Sequence, residues 1–338
     1  MRNAQVSAGT GGDFWKGVPA VLPSPHVLVS RDAEGKVYYI LPPAPGGAHP
    51  YRFCSVYDLV RHPEAWEARR PGEICGGNRD TERINHMNAE ANERLGMEHD
   101  WKELWDREQG KTAIIIGTGP SLTDSLPEIA NYAQKRETHF VMGFNRAHRA
   151  CDLDYFVTLD RCAQPDWITR DTGETVMIAA TTAAPHVTRE FKNRYWGDNF
   201  LYGIDYGFAP LRVGLSITLC EAMFCAYKLG ATRILLYGCD FALSGAFVER
   251  EGKNHFLLTK YYFDTPPSVG LKIRQGIVPE QFPVRGVHGK LCFINYEMWA
   301  YSCYVTAMCM ILRGANVEVE NRSGAGILFW NVERRESE

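Results

Sequence analysis

The chain has 338 residues, 45% of them apolar and 23% charged, and a net charge of −3. Those values fit an ordinary soluble globular protein with enough chain to bury a sizeable core, and the bulk charge gives no sign of a nucleic-acid-binding chain. No apolar run approaches the roughly 18 residues of a membrane span, and the start of the chain has no apolar signal core, so cytoplasmic residence is expected. The ten cysteines are scattered with no CxxC pair, which predicts reduced, core-filling thiols and no zinc ribbon.

In chain order, residues 1–78 are rich in Gly and Pro and predict a small irregular or β-rich region, with a turn at 32–35 and a strand at 37–41. Residues 79–110 form a polar, helix-compatible lead-in. From Lys111 to about residue 330 the pattern becomes strand, turn, helix, repeated. Buried strands are expected at 112–116, 139–142, 155–159, 175–180, 233–237 and 317–319. Helices are expected at 126–135, capped by Asp124 or Ser125 with Pro127 in the first turn, at 216–229 ending on Gly230, and at 296–312 closed by Gly314. The alternation predicts an α/β fold: a Rossmann-like, mostly parallel sheet with helices on both faces. Its ligand crevice should lie at the carboxyl ends of the strands.

That rule selects the candidate residues. Gly117, Thr118, Gly119, Pro120 and Ser121 sit between a buried strand and a helix, where glycines let backbone N–H groups approach a phosphate and the helix N-terminus favours an anion. Ser121 could cap the helix and donate to a phosphate oxygen. A nicotinamide dinucleotide is disfavoured: the second strand leads to Asn145 where an acidic residue would bind the ribose diol, and position 122 is Leu where a third Gly would stand. Asp160 and Asp240 each follow a strand and should face the crevice. Asp152 and Asp154 form a DxD that precedes a strand, so solvated carboxylates are the plainer reading and metal ligation the alternative. His288 lies in a loop between Arg285 and Lys290, two cations suited to phosphate, and His255 is a second candidate base.

Residues 110–122 (GKTAIIIGTGPSL) resemble the opening motif of the superfamily that joins the motility accessory factors, which are flagellin glycosyltransferases, with the MptE-like 6-hydroxymethylpterin diphosphokinases; Campylobacter-type bacterial sialyltransferases carry a related GxGPSL start. The similarity continues through Phe144, Asn145 and Arg146, residues 154–160 and 214–218, and the strand running to Gly238, Cys239 and Asp240. It ends with residues 287–290 and 319–323, and so covers about 111–325. The resemblance implies a donor carrying phosphate, held by the loop glycines, Ser121 and Asn145, with Ser216 and Thr218 in the same binding set and a base in the position of His288. Thr118 stands where the sialyltransferases have Asn.

Read together, these features predict an inverting glycosyltransferase. It would take a sugar from a nucleotide-activated donor, a CMP-linked nonulosonate being the suspected one, to a hydroxyl acceptor on a protein, glycan, lipid or modified nucleic-acid base. His288 would be the base, with Asp240 and Asp160 orienting ribose or acceptor, and no metal would be needed. The alternatives are a diphosphokinase that moves pyrophosphate from ATP to a pterin-like alcohol, with Mg²⁺ held by clustered carboxylates such as Asp152 and Asp154, and a nucleotide-binding module without catalysis.

Overall fold

A computed structural model describes residues 28–31, 37–40, 52–54, 79–163, 167–168, 171–198, 204–211, 217–250, 253–259, 282–294 and 296–331. Three short strands, β1 (Leu28–Arg31), β2 (Val37–Ile40) and β3 (Arg52–Cys54), pair antiparallel in that order. The strand expected at 37–41 is β2; the turn at 32–35 lies outside the described residues, as does Ser216.

Helix α1 (Arg79–Arg94) leads into the main sheet. That sheet has seven strands: β4 (Thr112–Ile116), β5 (His139–Phe144), β6 (Tyr155–Thr158), β7 (Val176–Ala180), β8 (Asn193–Gly197), β9 (Arg233–Tyr237) and β14 (Glu318–Asn321). Their order is β14-β9-β4-β5-β6-β7-β8, and every pairing is parallel. β4 and β9 are buried along almost their whole length, as expected of strands covered on both faces. One face carries α4 (Thr218–Lys228) and α5 (Tyr296–Gly314), whose Cys220, Met223, Val305 and Met308 meet Ile115, Val157 and Leu236. The opposite face carries α2 (Leu122–Ala133) and the short α3 (Pro185–Thr188), whose Ile129 and Val187 meet Ile116, Phe156 and Tyr237.

The chain leaves β4 towards β5 and continues outward to β8. It then returns to place β9 on the other flank of β4. The order therefore reverses between β4 and β9, and a parallel α/β sheet opens its ligand crevice at the carboxyl ends of the strands at such a point. Beyond β9, an antiparallel sheet in the order β11-β10-β13-β12 follows: β10 (Leu243–Arg250), β11 (Lys253–Thr259), β12 (Phe282–Arg285) and β13 (Leu291–Ile294). These four strands and β8 are not in the sequence-level expectation.

Two helix ends differ from that expectation. Helix α2 begins at Leu122, four residues before the expected start, which places Pro127 inside it. Gly314 is the last residue of α5, and the left-handed residue beyond it is Asn316, at φ 61°. Cys220, Cys225, Cys239, Cys292, Cys303 and Cys309 are buried free thiols, and no helix among the described residues is long and apolar enough to cross a membrane.

Candidate functional site at the sheet's switch point

At the carboxyl end of β4 the chain enters the 117–121 loop, and at the end of β9 it enters the 238–240 turn. The two lock together. The Gly117 N–H donates to Tyr237 O at 2.7 Å and the Gly119 N–H to Gly238 O at 2.8 Å. A Cβ at Gly117 would lie 2.4 Å from the Gly238 carbonyl oxygen, and one at Gly119 would lie 2.6 Å from Cγ of Asp240. Both glycines are therefore required by the neighbouring turn. Gly238 itself adopts φ 62°, with its Cβ position 2.9 Å from Cβ of Leu122.

Asp240 is 2% exposed. Its carboxylate accepts the Ser121 N–H at 2.8 Å and also the Ser121 hydroxyl. Ser121 occupies the N-cap position of α2 but makes no side-chain cap bond to the helix. Asp240 supplies the cap from the next strand, and its negative charge sits at the favourable end of the helix dipole. Burial pushes the Asp240 carboxyl up to about 6, against the lowering pull of the two Ser121 bonds and of Lys290. The same carboxylate adds to the burial that pushes the Cys292 thiol up to about 12.

The loop donors are thus largely spent inside the protein. Gly117, Gly119 and Ser121 are bound to the β9 turn, Leu122 closes on Gly119 O at 3.1 Å, and Pro120 has no N–H. Thr118, half-buried, is the residue of the loop whose N–H is left over for a ligand.

Two more segments close around Asp240. The Ile327 N–H donates to Asp240 O at 2.8 Å, and the Val287 N–H donates to Gly326 O at 2.7 Å. Gly326 takes φ 97° with its Cβ position 2.1 Å from Asp240 O, and a Cβ at Gly286 would lie 2.1 Å from Gly326 O. Ser323 accepts the Cys239 N–H at 2.9 Å through its hydroxyl. His288 follows in a short turn, 287–289, exposed and left-handed at φ 55°. Lys290 is also exposed, and its Nζ and the Ser121 Cβ flank Gly324, 4.0 and 3.9 Å from that residue's Cβ position. Gly324 and Gly326 escaped the sequence reading. The available signal was a Gly-x-Gly after the last strand, the same pattern that marked the loop after β4.

The other candidates take separate places. Asn145 follows β5 at φ 53°, on the same edge. Thr218 opens α4, which runs back to the start of β9, so it too lies on the carboxyl side. Asp160 follows β6, two strands from β4 or roughly 10 Å at the usual strand spacing; its carboxylate accepts the Cys162 N–H at 2.7 Å. His255 falls on β11, paired with Val248. Asp152 and Asp154 lie at the amino end of β6, on the opposite edge. Asp154 accepts the Val141 N–H at 2.8 Å and pairs with Arg136 at 3.2 Å. They line a cavity of about 560 Å³ there, which is remote from the crevice; topology, not cavity size, selects the carboxyl edge. No group of three or more His, Cys, Asp or Glu side chains placed to hold a metal ion occurs among the described residues.

The wall beyond β6 is organised by α1, which the sequence reading left without a role. Asn88 Nδ2 donates to Arg161 O and Thr182 O, and Asn92 Nδ2 donates to Thr181 O and Ala183 O, all within 2.8–3.1 Å. These two amides pin the helix across the turns that follow β6 and β7. At the far end of the edge, after β8, buried Asp198 accepts the Tyr206 and Phe208 N–H groups, and burial pushes its carboxyl up to about 6.

No curated protein matches this sequence. The family model described as 6-hydroxymethylpterin diphosphokinase MptE-like matches residues 86–246. That span runs from α1 into β10 and includes both locked turns, but it stops before the segments that carry His288, Lys290 and Gly324. Over residues 86–246, and so over the switch point itself, the chain is similar to the MptE-like family.

Proposed function

We propose that the chain is a nucleotide-dependent transferase that activates a hydroxyl acceptor at the carboxyl end of β4 and β9, and that the group moved is a diphosphoryl group from ATP. The observation that carries this reading is the convergence of residues 117–121, 238–240, 287–290 and 324–326 on one point of the sheet where the strand order reverses. The family match over the first two of these segments supports diphosphoryl transfer over the other reactions. Thr118, through its N–H and hydroxyl, and Lys290 hold phosphate. Asn145 offers a donor and an acceptor to the nucleoside. His288 takes the acceptor's proton as the hydroxyl oxygen attacks the β-phosphorus. The bond from that phosphorus to the α-phosphate's bridging oxygen breaks, and AMP leaves. The acceptor class is a hydroxymethyl group on a pterin-like ring.

Phosphoryl transfer of this kind ordinarily acts on a magnesium–nucleotide complex. The crevice offers Asp160 and Asp240, and Asp240 is committed to Ser121. These two do not make a protein-held metal centre.

The same observation favours a second reading, glycosyl transfer from a nucleotide sugar: of the four carboxylates a diphosphokinase would recruit, Asp152 and Asp154 lie on the other edge. The leaving group separates the two readings. The purified chain is incubated with ATP or with CMP- and UDP-sugars and a set of hydroxyl acceptors, and phosphorus NMR reads the product. AMP with a diphosphorylated acceptor supports the first reading; CMP or UDP with a glycoside supports the second. A nucleotide that binds without turnover on any acceptor would leave a binding module.

A further inference from the structure

The loop that should receive phosphate already holds an anion. The Asp240 carboxylate takes both the N–H and the hydroxyl of Ser121 at the start of α2. It is sealed from solvent at 2% exposure, and it lies against the position a phosphate would need to reach those donors, since the carbon of its carboxyl group is 2.6 Å from the Cβ position of Gly119. Two anions cannot share those two donors, because each donor has one hydrogen to give and the carboxylate is buried. Among the described side chains, the cation acting on this carboxylate is Lys290.

We infer that Asp240 is the resident anion of the 117–121 loop, and that a ligand phosphate enters by taking the Ser121 N–H and hydroxyl from it while the released carboxylate takes up a proton. The inference rests on the reading that the crevice binds nucleotide phosphate, and it adds how that site is held when empty and what the exchange demands.

The surroundings decide the proton's place. Asp240 faces Ser121 from α2, Cys239 from its own turn, Cys292 from β13 and Lys290 from the 287–290 segment. Both thiols are neutral, burial having pushed them up. Once the Ser121 bonds go to the phosphate, two of the three interactions that hold the carboxyl down are lost, and an incoming phosphate competes for the third, Lys290. Every change favours the protonated acid. The carboxyl stands at about 6 before any ligand arrives, so little is needed to complete the shift. One proton taken up per phosphate bound makes affinity fall by about tenfold for each unit of pH above that value.

The test measures ATP and sulfate binding by calorimetry from about pH 5.5 to 8. Sulfate keeps its charge across that range, so its arm removes the titration of the nucleotide's own phosphate. With the wild-type chain, affinity for both should fall about tenfold per unit above pH 6, and the binding enthalpy should vary with the ionisation enthalpy of the buffer in the amount that one proton taken up requires. With Asp240→Asn the pH dependence should vanish for sulfate, and affinity at about pH 8 should rise at least tenfold. The buffer measurement uses the wild-type chain, so the test stands even where the variant does not fold. Sulfate and ATP affinities that are flat with pH and unchanged in the variant, or a folded variant that no longer binds, would overturn the exchange while leaving the nucleotide site in place. Failure of ATP and sulfate to bind either chain at any pH would overturn the nucleotide reading and the exchange with it.

Discussion

At the amino edge of the sheet, charge mostly answers charge: Lys111 pairs with Glu108 at 2.7 Å, Arg136 with Asp154 at 3.2 Å, and the Tyr155 hydroxyl donates to Glu108 at 2.5 Å, while Asp154 also accepts the Val141 N–H. At the carboxyl edge, charge answers backbone. Asp240 is held by the N–H and hydroxyl of Ser121, Asp198 by the N–H groups of residues 206 and 208, and Asp160 by the N–H of Cys162. The first arrangement is partly exposed and worth little per pair. The second buries Asp240 and Asp198 where ionisation is costly, and it spends main-chain donors to hold all three acids. Burying acids at strand ends costs stability, so the difference supports the proposal that the carboxyl edge is the working one.

The sharpest way to break the working edge is to fill its glycines. Gly117→Ala places a Cβ against the Gly238 carbonyl, a backbone atom that cannot step aside. Destabilisation of at least about 2–3 kcal/mol is expected, as for overpacked cores, and denaturant unfolding measures it. Wild-type stability would show that the turns are not locked. Gly119→Val behaves alike, because its side chain meets the Asp240 carboxyl. A phosphate cradle alone would predict a folded variant that merely loses nucleotide; the contact with Asp240 predicts loss of stability as well.

Next in size is His288. It is exposed, so its replacement should spare the fold and fall on the reaction. The left-handed backbone at this position makes Asn a better test than Ala, since Asn tolerates that conformation. His288→Asn should lower kcat by about a hundredfold or more with nucleotide Kd within a few-fold. A kcat within about threefold of wild type would remove it from the mechanism.

A smaller effect is expected from Asp240→Asn on stability. The folded-state carboxyl is raised from 3.8 to about 6, so the folded chain binds this proton more tightly than the unfolded one. Stability from this group is present in full below about pH 4 and is lost as pH rises to about 6. The variant should lack that decline and should be more stable than wild type above pH 6 by an amount of order 1–3 kcal/mol. Asn can accept the Ser121 N–H and donate to the Ser121 oxygen, so the cap survives. Asp198 titrates in the same window, so part of the decline remains in Asp240→Asn. Parallel stability profiles for the two chains would refute the assignment.

How far this edge was legible follows from where its determinants lie. β4 and β9 were readable to the residue, because a strand buried on both faces is a bare apolar run. The start of α2 was not: its cap is Asp240, 119 residues away in sequence, and local spacing pointed to Asp124 or Ser125 instead. The loop glycines stand out in the sequence as a phosphate cradle, whereas the structure requires them for a close backbone neighbour; both ask for the same residue. Asn88 and Asn92 read as plain polar helix positions until the helix is laid across the turns of β6 and β7. Strands β10–β13 carry no long apolar run bounded by turn residues, and nothing local announced them.

The amino edge supplies the smallest effect. Asp154 is held at two points, the Val141 N–H and Arg136, and the arginine is 69% exposed at its side chain. An exposed ion pair of this kind contributes well under about 1 kcal/mol, and a single neutral hydrogen bond to a backbone N–H contributes about 1 kcal/mol. Asp154→Asn keeps one oxygen for the Val141 N–H and gives up the ion pair, so its stability should change by less than about 1 kcal/mol. Asp152 is exposed, and Asp152→Asn should change it less still. Neither residue shares an edge with residues 117–121, so the double variant should turn over substrate within about threefold of wild type and at the same magnesium concentration. The measurement is kcat and its magnesium dependence for Asp152→Asn/Asp154→Asn beside wild type. A hundredfold loss restored by raised magnesium would make the DxD a metal site after all, would move the chemistry to the cavity at the amino edge, and would reverse the reading of which edge works.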